Sequence, residues 1–350
     1  MQGDEGSSGW DAINAALAVV YPAQEPQHFG ATLPWTLGGR DPLDGVSVYW
    51  NQAPRPHWHF VTYGFSELFT KQSDDPALSG FGFELTFRLA AGPEATAGDR
   101  PPTWPMSLLQ NLARYVFQTG NVFEPGHYMN ANGPIALDHA TELAHLAFMR
   151  DPQLPPRATP NGALQFLQVI GLVDAEMAAI KRWSTDGVMQ VLESAMPLWI
   201  TDLARGSLLA DPALAAQVEA GSRRDGSSTA ALMLETLEAH RDRSDGPTVL
   251  VLGAGQVASV LDLLAARLPY GRALDLVGDP LQWTFVAGQE DTVAGHGQHL
   301  RCSLAPASLQ RLTDTLRPVR GTYPVSAALC VEVRPTCLRD AQGEVVRWIG

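Results

Sequence analysis

Three sets of residues have types and spacings that could do chemistry: a glycine turn, a histidine pair and two carboxylates. The run GAGQVA, Gly253 to Ala258, follows the apolar stretch Val249 to Leu252 and precedes the helix-compatible stretch Val257 to Leu268. In a strand–turn–helix setting such glycines let a pyrophosphate approach backbone N–H groups at a helix N-terminus, and an acid about twenty residues on, here Asp275, holds the ribose hydroxyls. A nucleotide-binding enzyme built on Gly253 to Ala258 is therefore one reading. Against it, the motif is short, its surroundings are rich in Gly and Ala, and no repeated strand–helix alternation follows. The motif also begins after residue 245, which leaves few residues to complete a doubly wound sheet. A tight turn between elements explains the same glycines.

His57 and His59 form an HxH pair, which on a strand places both imidazoles on one face, as many metal sites require. His127, His139 and His145 lie in one later segment, but the last two are spaced for different faces of a helix, and no Cys or carboxylate completes a ligand spacing. Imidazoles packed or hydrogen-bonded in a core are the expectation, with no metal and no cofactor. Glu67 and Glu84 could be read as an acid and a base, although Glu84 falls on the polar face of a strand, where a solvated or ion-paired carboxylate is ordinary. No GxSxG elbow is present, and Cys302, Cys330 and Cys337 are odd in number and lack CxxC spacing, so buried free thiols are expected and no catalytic residue is assigned.

Positioning these residues falls to a 350-residue chain, a length that suits two domains each with its own apolar interior. Hydrophobic residues make up 45% and charged residues 17%, an ordinary globular balance, and the net charge of −13 disfavours nucleic acid and anionic lipid as partners. With no apolar run of about 20 residues and no basic or apolar leader, a cytoplasmic location is expected. Phe81, Phe83, Leu85, Phe87 and Leu89 alternate with Gly82, Glu84, Thr86 and Arg88, which predicts a strand buried on its aromatic face. His57 to Phe65 predicts a neighbouring strand in a largely antiparallel sheet, joined to the first by a loop over Thr70 to Gly80. Trp10 to Val20 and the stripe Leu108, Leu109, Leu112, Tyr115 and Val116 predict helices. Asp138 reads as the N-cap of a helix carrying Leu143, Leu146 and Ala147 inward. Phe166 to Val173, Thr248 to Leu252, Leu281 to Val286 and Ala327 to Val333 are strand-like, and Gly221 to Ser228 reads as a mobile loop.

Several uncommon strings stand in one order: GGRDPLDGVSVYW (Gly38 to Trp50), HWHFVTYGFSELF (His57 to Phe69), SGFGFELTFRL (Ser79 to Leu89) and PPTWP (Pro101 to Pro105). LARYVFQ (Leu112 to Gln118), DPQLPP (Asp151 to Pro156), FLQVIGLV (Phe166 to Val173) and WITDLARG (Trp199 to Gly206) continue the series. Together they closely resemble the suppressor of fused family, with a weaker likeness in LLAARLPYGRALDL (Leu263 to Leu276) and QWTFVAG (Gln282 to Gly288). The resemblance implies an α/β fold of the α+β type in two domains, each a mixed, largely antiparallel sheet packed with helices. The limits expected are a disordered 1–9, an N-terminal domain over 10–185 and a C-terminal domain over 186–350. It also implies strands in the C-terminal half of Val257 to Leu268, inside a domain that binds no nucleotide.

What the resemblance implies for function is a non-enzymatic, monomeric negative regulator that clamps an extended peptide of a protein partner between its domains, by strand addition and side-chain pockets. Animal members hold Gli-type transcription factors in the cytoplasm and so repress Hedgehog signalling. The partner-binding residues carried over are Phe69, which keeps the family's aromatic, and Asp74, Asp75 and Pro76 in a loop about five residues shorter than the animal version. The insertion of animal members is reduced here to Gly221 to Ser228, which resembles bacterial members. Those often look like immunity proteins that bind a toxin domain, and an acidic binder suits a basic nuclease.

Overall fold

The computed structural model describes residues 7–31, 38–241, 243, 246–339 and 345–350. The chain is mixed α/β and divides into two units, Met1–Met177 with Val188–Ala215, and Ala178–Gly187 with Ala216–Gly350. The first carries α1 (Ser8–Val20), β1 (Gln27–Gly30), β2 (Gly45–Asn51), β3 (His57–Tyr63), β4 (Leu78–Ala90), α2 (Trp104–Thr119), β5 (Tyr128–Asn130), β6 (His145–Arg150), β7 (Arg157–Thr159) and β8 (Gly162–Leu172). Helices α3 (Asp174–Arg182), α4 (Thr185–Leu192) and α5 (Pro212–Asp225) carry the chain across the divisions.

The strands of the first unit form one sheet in the order β1-β2-β3-β4-β8-β6-β5, with β7 added beside the start of β8. Among the described strands of this sheet β4 and β8 pair in parallel and the other pairings are antiparallel. Alternation sorts the side chains by face. Trp58, Phe60, Phe83, Leu85, Phe87 and Leu89 pack with Leu109, Leu112, Ala113 and Val116 of α2. Tyr49, Val61, Tyr63 and Phe166 pack with Ile13, Ala16 and Leu17 of α1. Pro105 in the first turn and Gly120, in the left-handed region at φ 73° after the last, delimit α2. Tyr115, expected on its buried stripe, is instead exposed.

Because both faces are covered, the polar face of β4 is not solvated as the alternation suggests. Glu84, Thr86 and Arg88 are fully buried and are kept there by hydrogen bonds described below.

The second unit holds β9 (Ala231–Met233), β10 (Leu237–His240), β11 (Thr248–Gly253), α6 (Val257–Arg267), β12 (Leu274–Val277), β13 (Gln282–Ala287), β14 (Thr292–His296), β15 (His299–Leu304), α7 (Pro306–Thr315), β16 (Gly321–Pro324), β17 (Leu329–Arg334), β18 (Thr336–Arg339) and β19 (Val345–Ile349). Two sheets result, β10-β11-β17-β16 and β14-β15-β13-β12-β9, plus the hairpin β18-β19. Leu250, Leu252, Val260, Leu264, Trp283 and Phe285 share one core.

Four further expectations are corrected. The helix placed after Asp138 is absent; His145 to Arg150 form β6 instead, because a short apolar run does not distinguish helix from strand and β8 and β5 are available on either side. The loop expected at Gly221 to Ser228 is helical to Asp225. Gly221 serves close packing, since a Cβ there would lie 2.3 Å from the Trp183 ring, and Ser227 is fully buried. Val257 to Arg267 is helical throughout. At the N-terminus, Ser8 and Gly9 open α1, with Gly9 N–H donating to the Leu68 carbonyl (3.0 Å); residues 1–6 of the expected disordered segment lie outside the described residues. Among the described residues no helix is long and apolar enough to cross a membrane.

Candidate partner-binding site

The segment from Gly64 to Ala77 joins β3 to β4 without regular structure, so its backbone groups need partners from elsewhere. Glu84 supplies the first set. Its Oε1 accepts from the N–H groups of Gly64 and Ser66 (both 3.0 Å) and from Ser66 Oγ (2.6 Å), and its Oε2 accepts from Thr62 Oγ1 (2.6 Å). The Phe65 N–H donates to Oε2 as well (3.5 Å), and burial pushes this carboxyl up to about 7 against these donors.

Glu67 supplies the second set, accepting from the N–H groups of Gln72 (2.5 Å), Ser73 (2.6 Å) and Gly80 (3.2 Å) and pairing with Lys71 Nζ (3.0 Å). Partial burial works against its charge, but the donors prevail and hold the carboxyl down at about 2. The third tie is Asn161, whose Nδ2 donates to the carbonyls of Glu67 (2.8 Å) and Phe69 (2.9 Å). Asn161 is held by the β7–β8 hairpin, where Gly162 has φ +113° and a Cβ would lie 2.5 Å from the Leu78 carbonyl carbon. No spacing marks Asn161 as a site residue, though Asn-Gly between two strands is the strongest short hairpin signal.

The two carboxylates read as a possible acid–base pair are thus each committed to the loop. The loop borders a groove of about 620 Å³ lined by Pro42, Phe65, Leu68, Phe69, Phe81 and Phe117, among others. Phe69 is 50% exposed at its rim. Asp74, Asp75 and Pro76 are exposed further along the loop and do not line the groove; Asp75 Oδ1 accepts from Ala77 N–H (2.8 Å). The structure therefore brings Phe69 to a concave surface and leaves the other three carried-over residues outside it.

The HxH pair faces the interior. His57 Nδ1 bonds the Arg55 carbonyl (2.8 Å), while His59 lies between Tyr21 Oη (2.9 Å from Nδ1) and Asp151 Oδ2 (3.5 Å from Nε2). Burial lowers both imidazoles to about 4, so they are neutral near pH 7. Asp151 also accepts from Arg88 Nη1 (2.6 Å), Arg88 Nη2 (3.1 Å) and Thr86 Oγ1 (2.7 Å). Despite its burial, Arg88 and His59 hold this carboxyl well below the usual carboxylate range. Gln168 accepts from Arg88 and donates to the carbonyls of Leu198 (2.8 Å) and Trp199 (3.0 Å), two residues at positive φ. The network ties a left-handed turn to the sheet, a role no local spacing reveals.

His127 and His145 are held locally, by Glu124 N–H (3.2 Å) and Asp174 Oδ1 (2.7 Å). Among the described residues no group of three or more His, Cys, Asp and Glu is placed to hold a metal. The three cysteines are free thiols, and burial pushes Cys302 up to about 12.

The glycine turn follows β11 and leads into α6 as its motif requires, but the next strand, β12, belongs to the other sheet of its unit. Gly255 N–H donates to Thr336 Oγ1 (3.0 Å), and Asp275 accepts from Thr284 Oγ1 (2.6 Å). The donor and the acid that a nucleotide would use both have partners within the chain.

The fold is thus a pair of mixed α/β units, the first displaying a stapled, irregular loop beside an aromatic groove. Comparison with known proteins gives this class a name. Residues 39–206 match the family model "Suppressor of fused protein (SUFU)". The human suppressor of fused homolog is 38% identical over 240 residues, which covers 63% of this chain and 48% of the human protein. The crystal structure of Drosophila suppressor of fused superposes with a TM-score of 0.79 at 24% identity, covering 94% of this chain and 97% of that one. A chain of the Sufu–Fu complex crystal structure matches at 32% identity with a TM-score of 0.57, covering 61% of this chain and 98% of that one. The chain belongs to the suppressor of fused family, and it spans about half the length of the curated relatives it matches.

Proposed function

We propose that this chain is a protein-binding regulator without catalytic activity of its own, which holds an extended segment of a partner against the first unit. The observation that carries the reading is Phe69, half-exposed at the rim of an aromatic groove on a loop fixed by Glu67, Glu84 and Asn161. An aromatic anchor fixed before binding loses little entropy when a partner arrives. A relative crystallised as a Sufu–Fu complex supports a protein ligand.

Strand addition, the family's mode, requires a sheet edge, and β4 is flanked by β3 and β8. The loop therefore offers a side-chain pocket. An edge is provided by β5, which ends the strand order beside a cavity of about 500 Å³ lined by Tyr115, Val122, Phe123 and Met129, among others. Both surfaces flank the C-terminal turn of α2, which presents Tyr115 to one and Phe117 to the other.

The test is affinity capture from the native host lysate with wild type and Phe69→Ala side by side, retained proteins being identified by mass spectrometry. One protein retained by wild type and lost by a variant of unchanged melting temperature is expected. A toxic enzyme among the retained proteins would make this an immunity protein, a transcription factor or kinase a signalling regulator. Unfolding of Phe69→Ala, or equal retention by both proteins, sinks the assignment of Phe69.

A further inference from the structure

A further concavity of the first unit, about 520 Å³ in volume, lies between the end of α1, the following turn and strands β1 and β2. Its aromatic lining consists of Trp10, Tyr21, His28 and Tyr49. Trp10 packs on His28 (ring centroids 5.2 Å apart), and Tyr21 stacks on Tyr49 (4.4 Å, interplanar 12°). Most polar groups of the wall already have partners: Asn14 Oδ1 accepts from Tyr63 Oη (2.8 Å), His28 Nδ1 bonds Ser47 Oγ (3.0 Å), and the Tyr21 hydroxyl is turned to His59 (2.9 Å). Among the described residues no Lys or Arg lines the pocket, and burial lowers His28 from its ordinary value.

The exposed Glu25 carboxylate is the one charged group of the lining, and among the described residues it forms no ion pair. It shares the lining with Tyr49, whose phenol is pushed up to about 12 by burial first and by the Glu25 charge second. Aromatic rings beside a lone carboxylate are complementary to a cation, and the planar guanidinium both packs on rings and pairs with a carboxylate through two N–H groups.

We propose that this pocket takes the guanidinium of an arginine side chain presented by a bound polypeptide, its charge paired with Glu25 and its plane laid on the aromatic wall. The proposal rests on the protein-binding reading and adds to it a requirement for a basic residue in the partner.

N-acetylarginine methylamide serves as the probe, titrated into the full chain while the Trp10 indole N–H is followed by NMR, its signal assigned with Trp10→Phe. A saturable shift is expected that is at least about tenfold weaker for the neutral citrulline counterpart and in Glu25→Gln, tenfold being about 1.4 kcal/mol. No shift, equal binding of citrulline, an unchanged affinity in Glu25→Gln or tighter binding of the lysine counterpart overturns the assignment. Because lysate capture depends on Phe69 and not on the probe, a failed titration beside a retained partner removes this pocket alone. Saturable arginine binding without any retained partner leaves a guanidinium site in place but removes the bound polypeptide that the proposal assigns to it.

Discussion

Glu84 shows at the scale of one residue why a strand's polar face cannot be taken as wet. Alternation places it opposite Phe83 and Leu85, and the sheet's second cover turns that face into interior, so the carboxyl is desolvated while five donors converge on it. A folded-state value of about 7 against an ordinary 4.5 means that the native state binds a proton more tightly than the unfolded chain. The stability this contributes is complete below about pH 4.5 and is lost as pH rises to about 7, in all roughly 3 kcal/mol. Urea denaturation of wild type and Glu84→Gln across pH 4.5 to 8 should show the difference between them changing by that amount, with the wild type losing ground as pH rises; parallel curves would refute it. Asp151 runs the other way, since its depressed value gives stability that is present above the ordinary carboxylate range and lost on acidification. Asp151→Ala leaves Arg88 buried without its counter-charge and should cost roughly 3–5 kcal/mol in the same measurement. A cost under about 1 kcal/mol would mean that water or Gln168 replaces the pair.

At the scale of elements, the stapled loop shows what a linear pattern conveys and what it omits. The two strands flanking it were legible, because period-two alternation and β-branched and aromatic content are local properties of β3 and β4. The exposure of Phe69 was legible only through the family resemblance, and nothing local indicates that Asn161, 92 residues away, would hold its carbonyl. The same limit explains the misread strand β6, whose identity is set by pairing with β8 and β5, and the misread α5, where Gly221 marks a close contact with Trp183 instead of a mobile hinge. If Asn161 is the long-range staple, Asn161→Ala should lower stability by about 1–2 kcal/mol through the two lost hydrogen bonds to carbonyls. Hydrogen exchange at the amides of Gln72 and Ser73 should quicken while α2 keeps its protection. Unchanged exchange in the loop would show that Glu67 suffices without Asn161.

For the molecule as a whole, the decisive comparison is between the nucleotide motif and the topology that contains it. A dinucleotide site needs the strand after the motif's helix to return to the same parallel sheet, because the crevice forms where strand order reverses. Here β11 pairs in parallel with β17, contributed near the end of the chain, and β12 joins the other sheet beside β13 and β9. The strand–turn–helix is real, but the sheet architecture that makes it a site is missing, and Thr336 from β18 occupies the Gly255 N–H. Local sequence conveyed the first fact; the second depends on residues some eighty positions away and was accessible only through the family likeness. Any ligand that binds the native state alone stabilises it by about 2.7 kcal/mol at a hundred times its Kd, which for domains of this size is a rise of several degrees in Tm. NAD or ATP at millimolar concentration should therefore leave the melting temperature of the full chain within about 1 °C of its unliganded value, far below the rise that such occupancy produces. A rise of several degrees that is abolished by Gly255→Val would show that a nucleotide displaces Thr336 and builds its site on the turn alone, and the binding-module reading would then have to share the chain with an enzyme.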